Sequence, residues 1–258
     1  MTDAEKMRLD EALVACGLSP SRARARDAIL RGAVTVGGKP ETKPGRLIPS
    51  DAALAIDDPA GGYVSRAALK LVAALEAFGF DPRGVSALDL GASTGGFTQV
   101  LLERGAAHVI AVDVGHGQLT PSLSADKRVT LLEGLNARDL RAEHLGGRKV
   151  GAIVADLSFI SLKLALPPAL GLAEPGAWGV FLVKPQFEVG REALGKGGIV
   201  RDAKVAEKAV EGIAGWLDAQ GWRVVGRIPS PIAGGSGNRE FLVGVSANGS
   251  RAQERDSL

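Results

Sequence analysis

Apolar positions follow two regimes along this chain. Over residues 7–56 they come in short groups: Leu9, Leu13 and Val14 at helical spacing, then Ala25, Ala28 and Ile29, then the alternating Val34-Thr35-Val36. This predicts a helix from Met7 to Cys16, stopped by Gly17. A second helix starts at Ser19-Pro20-Ser21, with Pro20 near its first turn, and ends at Gly32. A hairpin around Gly37-Gly38 follows. Asp57-Asp58-Pro59-Ala60-Gly61-Gly62 has the composition of a linker.

Beyond the linker, a helix is predicted over Ala67–Phe78, with Leu71, Leu75 and Phe78 as its apolar stripe. Strand-length apolar runs then alternate with helical or polar segments. The runs are Ala87–Leu90, Val109–Asp113, Val129–Glu133, Val150–Asp156 and Trp178–Lys184. A helix over Lys204–Gln220 turns Ala206, Val210, Ile213 and Leu217 inward, and strands over Trp222–Ile228 and Phe241–Val245 close the series. The alternation predicts an α/β chain with a doubly wound parallel sheet, preceded by a small α/β module. The division expected is 7–60, 61–246 and a polar tail, 247–258, that reads as disordered.

Composition narrows the classes. At 258 residues there is ample core for one or two domains. The single cysteine, Cys16, excludes an internal disulfide and is expected as a small buried apolar residue. The three histidines lack ligand spacing, so no metal is expected. The longest clear apolar run, Ala177–Val183, is far shorter than a membrane span. The charged N-terminus lacks the apolar region of a signal peptide, so a cytoplasmic protein is expected. Net charge is only +2, yet Arg22 to Arg46 holds seven basic residues against two acidic ones. A basic helix beside a basic loop can track phosphates without reading sequence, which favours RNA binding by this module over a merely solvated face.

The candidate chemistry begins at Leu88-Asp89-Leu90-Gly91-Ala92-Ser93-Thr94-Gly95-Gly96-Phe97, a strand, glycine turn and helix. Such a turn lets backbone approach a ligand, and Asp113, about 20 residues on at a strand tip, is placed to grip ribose hydroxyls. Ser93 stands where a dinucleotide turn has its second glycine. That argues against a pyrophosphate and for S-adenosylmethionine (SAM), which has none. Asp156 and Lys184 close two further strands on the same rim, where ligands bind in this architecture. Lys70, on the predicted helix, reads by position alone as a surface lysine.

Two resemblances sharpen this reading. Arg8-Leu9-Asp10-x-x-Leu13, Ser21-Arg22-x-x-Ala25, Ile29-x-x-Gly32-x-Val34-x-Val36-x-Gly38 and Lys43-Pro44 resemble the S4 RNA-binding domain. This implies binding to structured RNA through Arg22, Arg24, Arg26, Arg31, Lys39 and Lys43. Gly91-Ala92-Ser93-Thr94-Gly95-Gly96-Phe97-Thr98, Ala155-Asp156-Leu157-Ser158-Phe159-Ile160-Ser161-Leu162, Val183-Lys184-Pro185-Gln186-Phe187-Glu188 and Ser236-Gly237-Asn238-x-Glu240 resemble the TlyA family. These are S4-containing, FtsJ-like ribosomal RNA methyltransferases, also called haemolysins.

The resemblance spans residues 7–246 and implies a Rossmann-like SAM-dependent methyltransferase sheet with an N-terminal S4 domain. It implies transfer to a cytidine 2′-hydroxyl of 23S and, in some members, 16S ribosomal RNA. The family's Lys-Asp-Lys-Glu tetrad falls on Lys70, Asp156, Lys184 and Glu240. Lys184 is expected to take the hydroxyl proton, with Asp156 and Glu240 orienting the lysines. Gly91, Ser93, Thr94, Gly95, Gly96, Asp113, Asn136 and Asp156 are expected around SAM. The protein is expected to act as a monomer on ribosomal RNA or ribosomal subunits. Some members carry Arg-x-Trp-Val between the domains, where this chain has Gly61-Gly62-Tyr63-Val64. The rival readings are a membrane-active haemolysin, a non-catalytic RNA-binding protein on a methyltransferase scaffold, and base methylation, which would not need the lysine pair.

Overall fold

A computed structural model describes residues 6–195, 197–234 and 237–248. Ser236 of the last motif and residues 249–258 of the polar tail lie outside them. By its contacts the chain divides into two units, Met1–Gly62 and Tyr63–Leu258.

The first unit begins with β1 (Lys6–Arg8), followed by helices α1 (Leu9–Ala15) and α2 (Arg22–Leu30). Four short strands follow: β2 (Val34–Val36), β3 (Lys39–Pro40), β4 (Leu47–Pro49) and β5 (Leu54–Ile56). β2 pairs antiparallel with β3 and β5, and β1 with β4. Leu9, Leu13, Ala25, Ala28, Ile29, Val34 and Ile48 form the core.

Three expectations change here. Residues 6–8 are strand rather than helix, because they pair with Leu47–Pro49, some forty positions away. Ser21, not Ser19, caps α2 by accepting from the Arg24 N–H, so Pro20 precedes the helix. Cys16 is exposed, not buried, because α1 stops at Ala15 and turns it outward.

The second unit opens with α3 (Ala68–Phe78), β6 (Ser86–Leu90), α4 (Gly96–Glu103), β7 (His108–Asp113), α5 (Pro121–Ser124) and β8 (Val129–Glu133). It continues with β9 (Val150–Ala155), α6 (Leu162–Ala165), α7 (Pro167–Leu172), β10 (Ala173–Val183) and α8 (Pro185–Glu188). The closing elements are α9 (Ala203–Ala219), β11 (Trp222–Pro229) and β12 (Phe241–Ala247). β10 starts earlier than expected; Glu174-Pro175-Gly176 sits at an irregularity in its pairing with β9 and hides the extra length. β12 runs two residues past its expected end at Val245, and its last residue, Ala247, lies in the expected tail.

All seven strands from β6 onward join one sheet in the order β11-β12-β10-β9-β6-β7-β8. β6 to β10 are mutually parallel, while β12 is antiparallel to both β10 and β11. Helices cover both faces: Leu88, Leu90 and Ile153 join the layer with α6, α7 and α9, and Ala87, Ala152 and Val154 join the layer with α3 and α4. Burial on both faces explains why these strands read as unbroken apolar runs. In α9, Asp202 caps the first turn, and Ala206, Val210, Ile213 and Leu217 are buried as the spacing predicts.

Register sets the site. Leu90 aligns with Val112 and Ala155, and Val183 with Phe241. The residues just past these ends, Gly91, Asp113, Asp156 and Lys184, therefore share one rim. Glu240 joins them because β12 starts where β10 ends.

The helix that carries Lys70 is seated by a gap in side chains. Gly226 and Gly244 face each other across β11 and β12, and the Phe78 ring lies over the pair. A Cβ on Gly244 would collide with the Phe78 ring. Gly244→Ala should therefore cost about 1–3 kcal/mol by overpacking, measured by urea unfolding, and should lower activity because α3 shifts.

Candidate active site

The glycine turn brings three loops together. Gly91 has a positive φ of 82°, and a Cβ there would sit 2.7 Å from the Asp156 carbonyl oxygen. The loops after β6 and β9 can therefore touch only with glycine at this position. Gly95 is held differently: its Cα faces the Leu119 and Leu123 side chains, and it lines neither cavity described below. Gly95 thus packs the turn against the segment that carries Leu119 and Leu123.

A cavity of about 870 Å³ opens beyond the strand ends. Gly91, Ser93, Asp113, Asn136 and Asp156 line it, together with apolar Val112, Leu135, Leu157 and Leu164. Its size and its mix of apolar walls with a few polar groups suit a nucleoside-sized ligand. Asp113 accepts from the Ser93 N–H (2.8 Å) and the Gly115 N–H (2.7 Å), so it also pins the glycine turn. Carboxylate oxygens have a second lone pair each, which leaves acceptor capacity for ribose hydroxyls. Asn136 caps the short turn Ala137–Asp139 through Arg138 N–H, with its amide at the cavity wall. A smaller cavity of about 230 Å³ adjoins; Thr94, Gly96, Ser158 and Lys184 line it, along with Gly91, Ser93 and Asp156.

The four tetrad residues meet at this junction. Glu240 Oε2 accepts from Lys70 Nζ at 2.7 Å, and Lys70 lies 3.5 Å from Asp156 Oδ2. The other Asp156 oxygen, Oδ1, is 2.7 Å from Lys184 Nζ. The charges alternate, and one carboxylate bridges two ammonium groups. Lys70, Lys184 and Glu240 are buried, with exposures of 6%, 8% and 5%, so Lys70 is not the surface lysine its position suggests. Isolated charges at such depth would be costly, and their pairing is what makes the burial tolerable. Lys184 also donates to Ser158 Oγ at 2.7 Å. Lys184 lines the smaller of these two cavities, and Lys70 lines neither.

Side chains outside the tetrad brace the loops. Glu188 accepts from Ser161 Oγ (2.6 Å) and the Leu162 N–H (2.9 Å), tying α8 to the loop after Asp156. Burial pushes the Glu188 carboxyl up despite those bonds. Asn238, buried, accepts from the Val200 N–H and donates to the Gly198 carbonyl, anchoring the strand end that carries Glu240. Phe159 has a φ of 65°, a conformation that costs about 1–2 kcal/mol. Its ring is 91% exposed beside Phe187, whose centroid is 5.2 Å away. Asn238 and Glu188 stand inside recognisable motifs, but spacing carries no sign of their bracing.

Among the basic residues of the first unit, Arg22 pairs with Asp10 and Glu11, and Arg24 donates to the Ala60 carbonyl. Arg31 is half-buried between Asp27 and Asp58, as a cross-link rather than a free cation. Arg26, Lys39 and Lys43 are exposed and make no ion pair among the described residues. Among those residues there is also no cluster suited to a metal ion, and no helix long and apolar enough to cross a membrane.

Known proteins match this arrangement. Residues 63–247 match the family model of FtsJ-like methyltransferases, and residues 7–52 that of the S4 domain. The chain is 48% identical over 256 residues to the 16S/23S rRNA (cytidine-2′-O)-methyltransferase TlyA of Mycobacterium tuberculosis, covering 99% of this chain and 95% of that protein. It is 40% identical to Hemolysin A of Brachyspira hyodysenteriae over 237 residues, covering 92% and 98%. A solved chain from Streptococcus thermophilus bearing the hemolysin name superposes with a TM-score of 0.74 at 38% identity, over 95% of this chain and 90% of that one.

Beneath the turn lies a further acid, to which sequence position assigns no role. Asp89 is fully buried; Oδ2 accepts from Thr98 Oγ1 at 2.6 Å, while Oδ1 has no hydrogen-bond partner among the described residues. Burial pushes its carboxyl up to about 7, against the bond from Thr98. The folded state thus holds a proton that the unfolded chain has lost between about pH 4 and 7. Its contribution is greatest at the acid end and is lost as pH rises through about 7, at no more than about 1.4 kcal/mol per pH unit. Relative to Asp89→Asn, the wild type should lose stability as pH rises across that window. Urea unfolding of both proteins at several pH values measures it.

Proposed function

Because this chain belongs to the TlyA family of FtsJ-like methyltransferases, we propose that it is a SAM-dependent enzyme that methylates a cytidine 2′-hydroxyl in ribosomal RNA, with the 23S molecule as target and the 16S molecule as a second one. The observation that carries the reading is the position of Lys184. It faces the small cavity, is fixed by Asp156 and Ser158, and stands beside the larger cavity that suits the cofactor.

When bound, SAM supplies an activated methyl group, since its sulfonium is already a good leaving group. What remains for the protein is to orient the ribose and remove the proton of a poor nucleophile. Lys184 performs that removal when its amine is neutral, taking the 2′-hydroxyl proton onto its lone pair. Asp156 holds the amine in place. Glu240 and Lys70 hold Asp156, so the base keeps one position through the reaction. Gly91, Ser93, Thr94, Gly95 and Gly96 let backbone close on the cofactor; Asp113 takes the ribose hydroxyls and Asn136 lies towards the adenine. The exposed ring of Phe159 at the rim offers a face on which an RNA base can stack.

The S4 unit supplies sequence-tolerant phosphate contacts, for which Arg26, Lys39 and Lys43 are the free cations and Arg22 and Arg24 the partly engaged ones. The reaction is placed in the cytoplasm, on ribosomal RNA or a ribosomal subunit, by a monomer. Among the described residues no helix is long and apolar enough to cross a membrane, and the lytic reading gains no support from them.

Labelled SAM incubated with unmodified ribosomal subunits tests the reading. Wild-type protein should place the label on a cytidine 2′-oxygen. Lys184→Ala should reduce transfer by about 10²–10⁴-fold with SAM affinity retained; transfer at the wild-type rate would remove Lys184 from the role of base. Separately, Asp113→Ala should weaken SAM binding by about 10- to 100-fold in calorimetry, through loss of its charged hydrogen bonds.

A further inference from the structure

We infer that Ser158 is a positioning residue that aims the lone pair of Lys184 at the acceptor hydroxyl; the inference rests on Lys184 being the base. The Lys184 nitrogen has four tetrahedral directions, and one is its own carbon bond. Asp156 Oδ1 and Ser158 Oγ occupy two more, each at 2.7 Å. Asp156 Oδ1 can only accept and so takes one N–H, and the Ser158 oxygen accepts the other from Lys184. A neutral amine has two N–H bonds. With both spent on these partners, its lone pair has a single direction left, and Lys184 opens onto the small cavity.

Neither partner suffices alone. With Asp156 as sole acceptor, the nitrogen could turn an N–H towards the acceptor hydroxyl and its lone pair towards Ser158, the unproductive arrangement. Ser158 blocks that rotation. Its own O–H remains free to donate, and Ser158 lines both cavities, so it faces the space where cofactor and acceptor meet.

The loop is built to hold this serine. Its start is fixed where the Asp156 N–H donates to the Leu90 carbonyl, and its end where Glu188 captures Ser161 and Leu162. Between them the left-handed Phe159 sends its ring out to solvent while the neighbouring Ser158 points in to Lys184. A hydroxyl held at both ends of its loop is suited to an orienting task that tolerates little displacement.

The test uses the full chain with unmodified ribosomal subunits, measuring kcat, KM for the subunit and the Kd for SAM. Ser158→Ala and Ser158→Cys, which nearly preserves volume but offers a weakly accepting sulfur, should each lower kcat about 10- to 100-fold. KM and SAM affinity should stay near wild type. Ser158→Thr, which keeps the hydroxyl, should recover most of the rate. Wild-type kcat in the Cys variant would overturn the inference, as would a defect confined to KM or SAM binding. Lys184→Ala is run alongside. Its retention of activity would overturn the base itself, whereas an inactive Lys184→Ala beside a fully active Ser158→Cys would overturn only the role given to serine.

Discussion

Everything at this site depends on keeping two lysines and two carboxylates together out of water. Each charge alone would be expelled or neutralised at that depth. In the order Glu240, Lys70, Asp156, Lys184 each charge has an opposite neighbour, and the central carboxylate uses separate oxygens for its two lysines. The spacing is uneven: Lys70 sits closer to Glu240 than to Asp156. Asp156 thus keeps its shorter contact for Lys184, the lysine at the cavity. A buried row of this kind gains little net stability, because desolvation offsets much of the attraction. Its value lies in geometry: on the proposed reading, a base that must meet a hydroxyl in line with a methyl carbon cannot wander.

That geometry is transmitted through loops, and loops need bracing. Glu188 ties the segment after Asp156 to the helix after Lys184, and Asn238 ties the strand bearing Glu240 to the segment before α9. Buried Asn238 does this through backbone partners alone, and half-buried Glu188 through the Leu162 N–H together with the Ser161 hydroxyl. The glycine turn is stiffened likewise, by Asp113 from one side and by Leu119 and Leu123 from the other. A cofactor site that is largely pre-formed loses less ordering entropy when its ligand arrives.

In the first unit the same electrostatics divides a basic segment into parts with different tasks. Arg31 and Arg46 are engaged by carboxylates, as Arg22 is in part, while Arg26, Lys39 and Lys43 are exposed and have no such partner among the described residues. Counting positive residues therefore overstates the cations available to phosphate. Polyanion binding also draws on engaged arginines only where RNA can outcompete an existing partner, which is hardest for the half-buried Arg31.

The sequence by itself determined the class of the fold, since apolar runs at strand length alternating with amphipathic helices allow little besides a doubly wound sheet. It also placed Gly91, Asp113, Asp156 and Lys184 at the rim, because residues that end parallel strands share one edge. Position alone missed Lys70 and Glu240, which came only through resemblance to a family motif. Lys70 lies on a helix whose face towards the sheet is set by Phe78 against Gly226 and Gly244, and spacing does not record that docking. Glu240 reaches the rim only because β12 runs antiparallel, a matter of pairing between distant segments. The strands β1 and β4, the exposure of Cys16, the packing role of Gly95 and the bond from Lys184 to Ser158 were decided the same way. A local pattern reports which side of an element is apolar; which polar atoms then meet across the fold is settled only when long-range register and packing have brought them within hydrogen-bonding distance.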